Sequence, residues 1–130
     1  VHDHTVAGPR RPMQCGGGAA LEGPQYHPAA MLKEFKKRRD RIHKRINKIR
    51  GLNMVKPGGA FYAFPQYDFD IASEEFALAL APKGLICSPG SAFGRLGEGH
   101  LRFSYACNVD KIDAGMDIRE AMCNEMPLRS

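Results

Sequence analysis

A helical repeat of large apolar residues is the clearest pattern along the chain. Its members recur at intervals of three, four or seven positions, and they are Leu32, Phe35, Ile42, Ile46 and Ile49. Such intervals place all of them on one face of an α-helix. Pro28 suits the first turn of this helix, and Gly51 suits the position just after its end. The pattern therefore predicts a long amphipathic helix over residues 28–50.

Shorter elements follow this helix. Four apolar segments predict β-strands, at residues 52–55, 60–65, 85–88 and 101–107. Both faces of segment 60–65 are apolar or aromatic, so we expect a central strand that is covered on both sides. Ser73 is typical of a helix N-cap, and Asn108 or Asp110 should cap a last helix. The apolar side of that last helix is predicted from Ile112, Met116, Ile118, Ala121 and Met122.

The order of elements indicates the fold class. Helix, two strands, helix, two strands and helix predict an α+β fold, with helices packed on one face of a small mixed or antiparallel sheet. A long N-terminal helix leads into this sheet. With 130 residues, the chain is long enough for one hydrophobic core. Its first 28 residues are rich in proline and glycine and should form at most a short helix near residues 14–21.

Composition narrows the class of protein. The longest apolar run, residues 76–81, is far shorter than the roughly 20 residues of a membrane span, so no membrane helix is expected. The first five residues lack the basic start and apolar run of a secretory signal. The four cysteines are widely separated, which excludes a CxxC pair and favours reduced thiols in a cytoplasmic protein.

Positive charge is concentrated in the predicted long helix. The chain carries a net charge of +5, and residues 33–50 alone contain ten lysines or arginines against Glu34 and Asp40. Such a surface can bind nucleic acid or an anionic membrane. These cations surround the apolar stripe, however, and no nucleic-acid-binding motif accompanies them. A solvated helix face is therefore the favoured interpretation.

The most informative polar residue lies in the predicted strand 101–107. Strand alternation places Leu101 and Phe103 on one face and Arg102 on the other, beside small side chains. A guanidinium in that position can hold a carboxylate through two parallel hydrogen bonds. The pattern alone favours the simpler interpretation of a surface arginine on a half-exposed sheet.

Other candidate sites are weaker. Residues 88–99 contain four glycines but match no phosphate- or dinucleotide-binding motif, so a tight connection anchored by Phe93 is favoured. His2 and His4 have the spacing of metal ligands, yet a chain terminus lacks the supporting contacts that a metal site needs. We predict no metal site. No Ser/His/Asp or Cys/His set indicates a nucleophile.

Five groups of motifs, taken in order, resemble the class I and II aminotransferases of fold type I, the aspartate aminotransferase superfamily. The first group comprises HDHTV at 2–6, PMQ at 12–14 and AAL at 19–21. The others are RRD at 38–40, KPGGAFY at 56–62, SPGSAFG at 88–94 and GEGHLRFSYA at 97–106. Their order along almost the whole chain makes the resemblance specific. Departures occur at Arg10, Arg11 and the glycines 16–18, where the family usually has small or apolar helix formers.

The resemblance implies a function and two site residues. Such enzymes are pyridoxal-phosphate-dependent homodimers that move an amino group from an amino acid to a 2-oxo acid. Arg102 falls on the family's arginine that pairs with the substrate carboxylate, and Phe61 on an aromatic position bordering the substrate. Residues 1–27 look like the end of the large cofactor-binding domain, and residues 28–130 look like the C-terminal small domain.

The same resemblance implies what the chain lacks. The lysine that forms a Schiff base with the cofactor lies in the large domain, and none of the eight lysines here has its sequence context. We therefore expect no catalytic or cofactor-binding residue in this chain, and no activity from the chain alone. Two alternatives stay open: a pyridoxal-phosphate lyase or synthase of the same fold, and a basic nucleic-acid-binding module.

Overall fold

The computed structural model describes residues 10–129, so His2 and His4 lie outside the described residues. The chain divides into two compact units, residues 1–32 and 33–130. The first unit contains helix α1 (Arg11–Glu22), which is longer than the short helix predicted near residues 14–21. None of its residues is buried. The side-chain amide of Gln25 ends it by donating hydrogen bonds to the carbonyl oxygens of Ala20 and Gly23, at 3.0 and 2.9 Å.

The long helix predicted from the apolar repeat is helix α2 (Tyr26–Ile46). It ends four residues before residue 50, because a turn forms over residues 47–50. The side chain of Asn47 stabilises this turn by accepting a hydrogen bond from the Met54 amide at 2.8 Å. Gly51 follows with a φ of +72°, a conformation that favours glycine, and a Cβ there would lie 2.6 Å from the Phe69 ring.

Five short strands form two antiparallel sheets in the described chain. They are β1 (Leu52–Asn53), β2 (Tyr62–Ala63), β3 (Gln66–Tyr67), β4 (Ser88–Pro89) and β5 (Leu101–Ser104). β1 pairs with β3, and the larger sheet has the order β2-β5-β4. The strands are shorter than predicted, and β3 was not predicted.

The prediction of a doubly covered central strand at residues 60–65 is wrong. β2 is an edge strand whose alternation puts Ala63 and Pro65 in the core and leaves Tyr62 and Phe64 exposed. The aromatic residues on its second face therefore line an open surface of the sheet. That surface carries the candidate site.

Two helices complete the second unit. Helix α3 (Ser73–Leu80) follows Ala72, so Ser73 is its first residue and not its N-cap as predicted. Helix α4 (Val109–Glu125) is capped by Asn108, one of the two predicted candidates, whose side chain accepts a hydrogen bond from the Lys111 amide at 3.0 Å. The other candidate, Asp110, lies in the first turn.

One hydrophobic core holds the second unit together. It combines the inner face of the β2-β5-β4 sheet with residues of α2, α3 and α4, among them Ile42, Ile46, Phe76, Leu80, Leu101, Phe103, Ile112 and Met116. The α+β prediction is therefore confirmed. Across the surface, Arg41 forms two hydrogen bonds of 2.8 Å with Asp113, so part of the positive charge of α2 is paired with acidic side chains of α4. Within residues 10–129 no helix has the length and apolar character needed to cross a membrane.

Candidate functional site

Arg102 lies on the open face of β5. Its strand neighbours Leu101 and Phe103 are buried in the core, as the alternation predicted, while Arg102 is half-buried on the opposite face. Strand pairing places Ser88 of β4 directly across from it. The Nη2 group of Arg102 donates a hydrogen bond to the Ser88 hydroxyl at 3.4 Å.

Two aromatic rings hold the Arg102 guanidinium. Its Cζ atom lies 4.4 Å from the centre of the Tyr62 ring and 4.3 Å from the centre of the Phe93 ring. Tyr62 belongs to β2, and Phe93 follows β4, so the rings approach from the two sides of β5. Cation–π contacts of this kind restrict the orientation of a guanidinium without neutralising its charge.

No acidic residue pairs with Arg102 within residues 10–129. By contrast, Arg41 and Arg45 form ion pairs with acidic residues of α4. An oriented but unpaired guanidinium presents its donor groups to an incoming anion, and its planar fork matches a carboxylate. The side chain is therefore suited to bind a carboxylate ligand.

Phe61 lies next to this cluster. Its ring is 40% exposed, and its centre lies 4.5 Å from that of Tyr62. The carbonyl oxygen of Phe61 accepts a hydrogen bond from the Tyr105 amide at 2.9 Å, which attaches the residue to the end of β5. Tyr62 thus contacts both sequence-predicted residues, Phe61 and Arg102.

A cavity of about 450 Å³ opens beside Tyr62. Its lining includes the rings of Tyr62, Phe64 and His100 and the polar side chains of Asn53, Lys56 and Gln66. The ring of Phe64 stacks on that of His100 with a centre-to-centre distance of 4.9 Å. A small organic molecule could therefore lie against the same aromatic surface that holds Arg102.

Three contact residues of Arg102 were not predicted as site residues: Tyr62, Phe93 and Ser88. Phe93 was expected to be a packing anchor of a tight connection between two strands. The residue is 49% exposed, and its ring packs against Arg102. Ser88 meets Arg102 only through strand pairing, which the sequence alone does not reveal. Strand alternation was a usable signal for Tyr62, because it places Tyr62 and Ala63 on opposite faces of β2. Only the structure shows that the face of Tyr62 is the exposed one.

Phe93 lies in a segment, residues 90–97, whose two ends are in direct contact at Gly90 and Gly97. This contact is called the neck of the segment. A Cβ atom on Gly90 would overlap the carbonyl oxygen of Gly97, and it would lie 2.6 Å from that of His100. A Cβ on Gly97 would in turn overlap the carbonyl oxygen of Gly90. Only glycine fits at both positions because the two backbone segments are in direct contact.

Replacing Gly90 by alanine is expected to lower the free energy of unfolding by about 1–3 kcal/mol, because the added methyl group forces the two segments apart. Urea denaturation followed by circular dichroism measures this change. Gly59→Ala is the matched control, since a Cβ there meets no atom within 4 Å and should leave stability nearly unchanged. Equal stability of the two variants would show that the neck opens without cost.

The lysines of the described chain lie at its surface. All eight lysines are exposed, and Lys37, Lys56 and Lys83 form ion pairs with acidic side chains. Residues 10–129 also contain no group of three or more histidine, cysteine or acidic side chains arranged for a metal ion. The four cysteines are free thiols.

The fold and this cluster define an α+β domain with an arginine held between two aromatic rings on the open face of its sheet. Residues 6–117 match the sequence model of the family described as aminotransferase class I and II. The chain is 42% identical over 100 residues to aromatic-amino-acid aminotransferase 2 of Thermococcus litoralis, and 44% identical over 100 residues to an aspartate aminotransferase of Pyrococcus abyssi. Each match covers 75% of this chain and 25% of the relative.

Solved structures agree with these relatives. An alanine aminotransferase from Pyrococcus furiosus superimposes with a TM-score of 0.79 and 34% identity, over 82% of this chain and 28% of that protein. Substrate-bound BacF from Bacillus subtilis superimposes with a TM-score of 0.81 and 25% identity, over 98% of this chain and 33% of that protein. The chain belongs to the class I and II aminotransferase family, and it spans about a quarter to a third of the length of these relatives.

Proposed function

We propose that this chain is the C-terminal domain of a pyridoxal-phosphate-dependent aminotransferase and that Arg102 binds the carboxylate of its substrate. The observation that carries the proposal is the oriented Arg102 guanidinium, which has no acidic partner within residues 10–129. The enzyme would transfer an amino group between an amino acid and a 2-oxo acid. Both substrates carry a carboxylate, so one arginine serves both half-reactions.

The surrounding residues have supporting roles in this proposal. Tyr62 and Ser88 hold the guanidinium so that two of its N–H groups point at the carboxylate. Phe61 borders the substrate beside Tyr62, where its ring is exposed enough to exclude water from one side of the ligand. Relatives in the family are named for aspartate, aromatic and alanine substrates, so the side chain of the substrate is not assigned.

Pyridoxal phosphate is the cofactor that the family implies, and the described residues do not fit it. A cofactor-binding lysine would have to reach into an enclosed site, whereas every lysine in this chain is exposed on the surface. We therefore assign no residue of this chain to the cofactor. We propose that another part of a longer enzyme binds it, and that the enzyme is a homodimer.

A lyase or synthase of the same fold would keep the same carboxylate arginine. The products of the reaction therefore distinguish such an enzyme from an aminotransferase. Nucleic-acid binding by α2 is less well supported, because Arg41 and Arg45 are already paired with acidic residues of α4.

In the enzyme containing this chain, we expect a 2-oxo acid to be converted to its amino acid with stoichiometric loss of the amino donor.

The chain alone is expected to be inactive. Supplied with pyridoxal phosphate, residues 1–130 should show neither the visible absorbance of a bound cofactor nor transamination, because no lysine is placed to bind it. Spectroscopy together with amino-acid analysis of the products measures both. Turnover accompanied by borohydride-dependent labelling of one lysine would contradict this prediction and would identify a cofactor site within the chain.

A further inference from the structure

The segment that carries Phe93 is fixed to the rest of the fold at both ends. Beyond the Gly90–Gly97 neck, Glu98 anchors it to the beginning of α3. The carboxylate of Glu98 accepts hydrogen bonds from the amide of Ser73 at 2.7 Å and from its hydroxyl at 2.9 Å. These bonds hold the pKa of Glu98 below its usual value, so the carboxylate is charged at neutral pH.

Ser73 connects this anchor to the other end of the segment. Its hydroxyl oxygen is buried and accepts a hydrogen bond from the Ser91 amide at 3.2 Å. Ser91 lies two positions before Phe93, and Glu98 lies five positions after it. The side chain of Ser73 in α3 therefore forms hydrogen bonds on both sides of Phe93, with Ser91 and with Glu98. These bonds hold the ring of Phe93 against Arg102.

Two rings at this distance leave only part of the guanidinium open. The Tyr62 and Phe93 ring centres lie 4.4 and 4.3 Å from Cζ, and the Ser88 hydroxyl accepts a hydrogen bond from Nη2, so three side chains restrict the space around the group. The remaining N–H groups lie in the plane of the guanidinium and suit a planar anion with two oxygen atoms. A tetrahedral anion carries a third oxygen out of that plane and therefore needs more space beside the guanidinium, which the two rings restrict.

We propose that Phe93, held in place by the Ser73–Glu98 contact, is a specificity-determining residue that makes Arg102 selective for planar carboxylates over tetrahedral anions. This inference rests on the proposed role of Arg102 as the carboxylate-binding residue. Phe93 restricts the space beside the guanidinium. Glu98 and Ser73 are positioning residues, because they act on Arg102 only through Phe93.

The test uses the 130-residue chain labelled with ¹⁵N-arginine, and its probes are acetate and methanesulfonate. Both are monoanions, one planar and one tetrahedral. The Nε–H resonance of Arg102 is identified by its absence in Arg102→Lys, and its shift on titration measures the two dissociation constants. In Phe93→Leu, the preference for acetate should fall by about two- to fivefold, which corresponds to a change of about 0.4–1 kcal/mol in the difference between the two binding free energies.

A spectroscopic signature separates positioning from general stability. Removal of the Phe93 ring should move the Arg102 Nε–H resonance before any ligand is added, because the ring current is lost. Glu98→Gln and Ser73→Ala should move it in the same direction by a smaller amount and lower the preference for acetate. Glu75→Gln is the control: it removes the charge of an exposed glutamate in the first turn of α3, and it should change neither quantity.

Two outcomes would overturn the inference, and they differ in what else they affect. If acetate shifts the Arg102 resonance but Phe93→Leu keeps the preference of the unmodified chain, Phe93 does not determine specificity and the carboxylate role of Arg102 stands. If acetate leaves the Arg102 resonance unchanged, the proposed function loses its binding residue and this inference falls with it.

Discussion

Replacing Arg102 by alanine is expected to lower kcat/KM for an amino acid by about 10² to 10⁴ in the enzyme that contains this chain. Two charge-assisted hydrogen bonds to the substrate carboxylate would be lost, and each contributes roughly 1.5–3 kcal/mol. Arg102→Lys keeps the charge but loses the planar fork, so its kcat/KM should lie between those of the alanine variant and the unmodified enzyme. Steady-state kinetics with saturating cofactor measures the effect.

The comparison that isolates the role of Arg102 is an amino acid against the amine that lacks its carboxylate. The loss should be confined to the amino acid, while the fold stays intact, because the apolar side of β5 faces away from Arg102. Arg95→Ala is the matched control, since Arg95 is an exposed arginine in the segment that carries Phe93. If the alanine variant and the unmodified enzyme discriminate equally between the two substrates, Arg102 is only a surface residue.

The second large effect concerns Arg119, a buried arginine on α4. Its side chain is fully buried, and its three guanidinium nitrogens have no hydrogen-bond partner in the described chain. The group lies 4.4 Å from the Phe103 ring centre and 5.9 Å from that of Phe76. Burial lowers the pKa of Arg119 to about 10, and the nearby thiols of Cys123 and Cys87 offset this only in part. A charge that no carboxylate or hydrogen bond compensates is costly in a hydrophobic core.

Arg119→Met is therefore expected to raise the free energy of unfolding by about 1–4 kcal/mol, because an unbranched apolar side chain replaces a buried charge that has no hydrogen-bond partner in the described chain. Urea denaturation at neutral pH measures the gain. Arg45→Met is the contrasting control: Arg45 is paired with Asp113 and Glu120, so its loss should leave stability unchanged or lower it slightly. A less stable Arg119→Met variant would mean that the guanidinium forms a favourable contact in the core.

The pH dependence of this gain has a defined sign. The folded-state pKa of Arg119, about 10, is lower than the ordinary pKa of an arginine, so above about pH 10 the unfolded chain binds more protons than the folded one. The stability of the unmodified chain relative to the variant should therefore rise as the pH passes through about 10. The advantage of Arg119→Met should shrink over the same range, whereas a pH-independent advantage would contradict a buried charge as its cause.

Arg119 also shows why sequence patterns mislead about a core. The last helix was predicted to face inward with residues that include Ile118 and Ala121, but Ala121 is exposed and Ile118 is only half-buried. The buried positions of α4 are Ile112, Met116, Arg119 and Cys123. These follow an ideal helical spacing. The sequence pattern missed this inner face because one of its four positions is an arginine, a residue that is rarely buried without a partner.

The sequence by itself determined the elements that depend on local chemistry. Apolar periodicity placed α2, and alternation along β5 put Arg102 opposite the core residues Leu101 and Phe103. Asn108 marked the start of α4, because a side-chain oxygen there can accept a backbone N–H of the first turn. The motif order indicated the aminotransferase family, which the family match confirmed.

Tertiary structure alone decided what surrounds these residues. β3 has only two residues, and its pairing with β1 defines it as a strand. Ser73 is the first residue of α3 and not its N-cap, and its hydroxyl donates a hydrogen bond to Glu98, which is distant in sequence. Tyr62, Phe93 and Ser88 meet at Arg102 because strands far apart in the chain lie side by side. Contacts of this kind depend on strand order and register, which follow from packing the whole core and not from any local pattern.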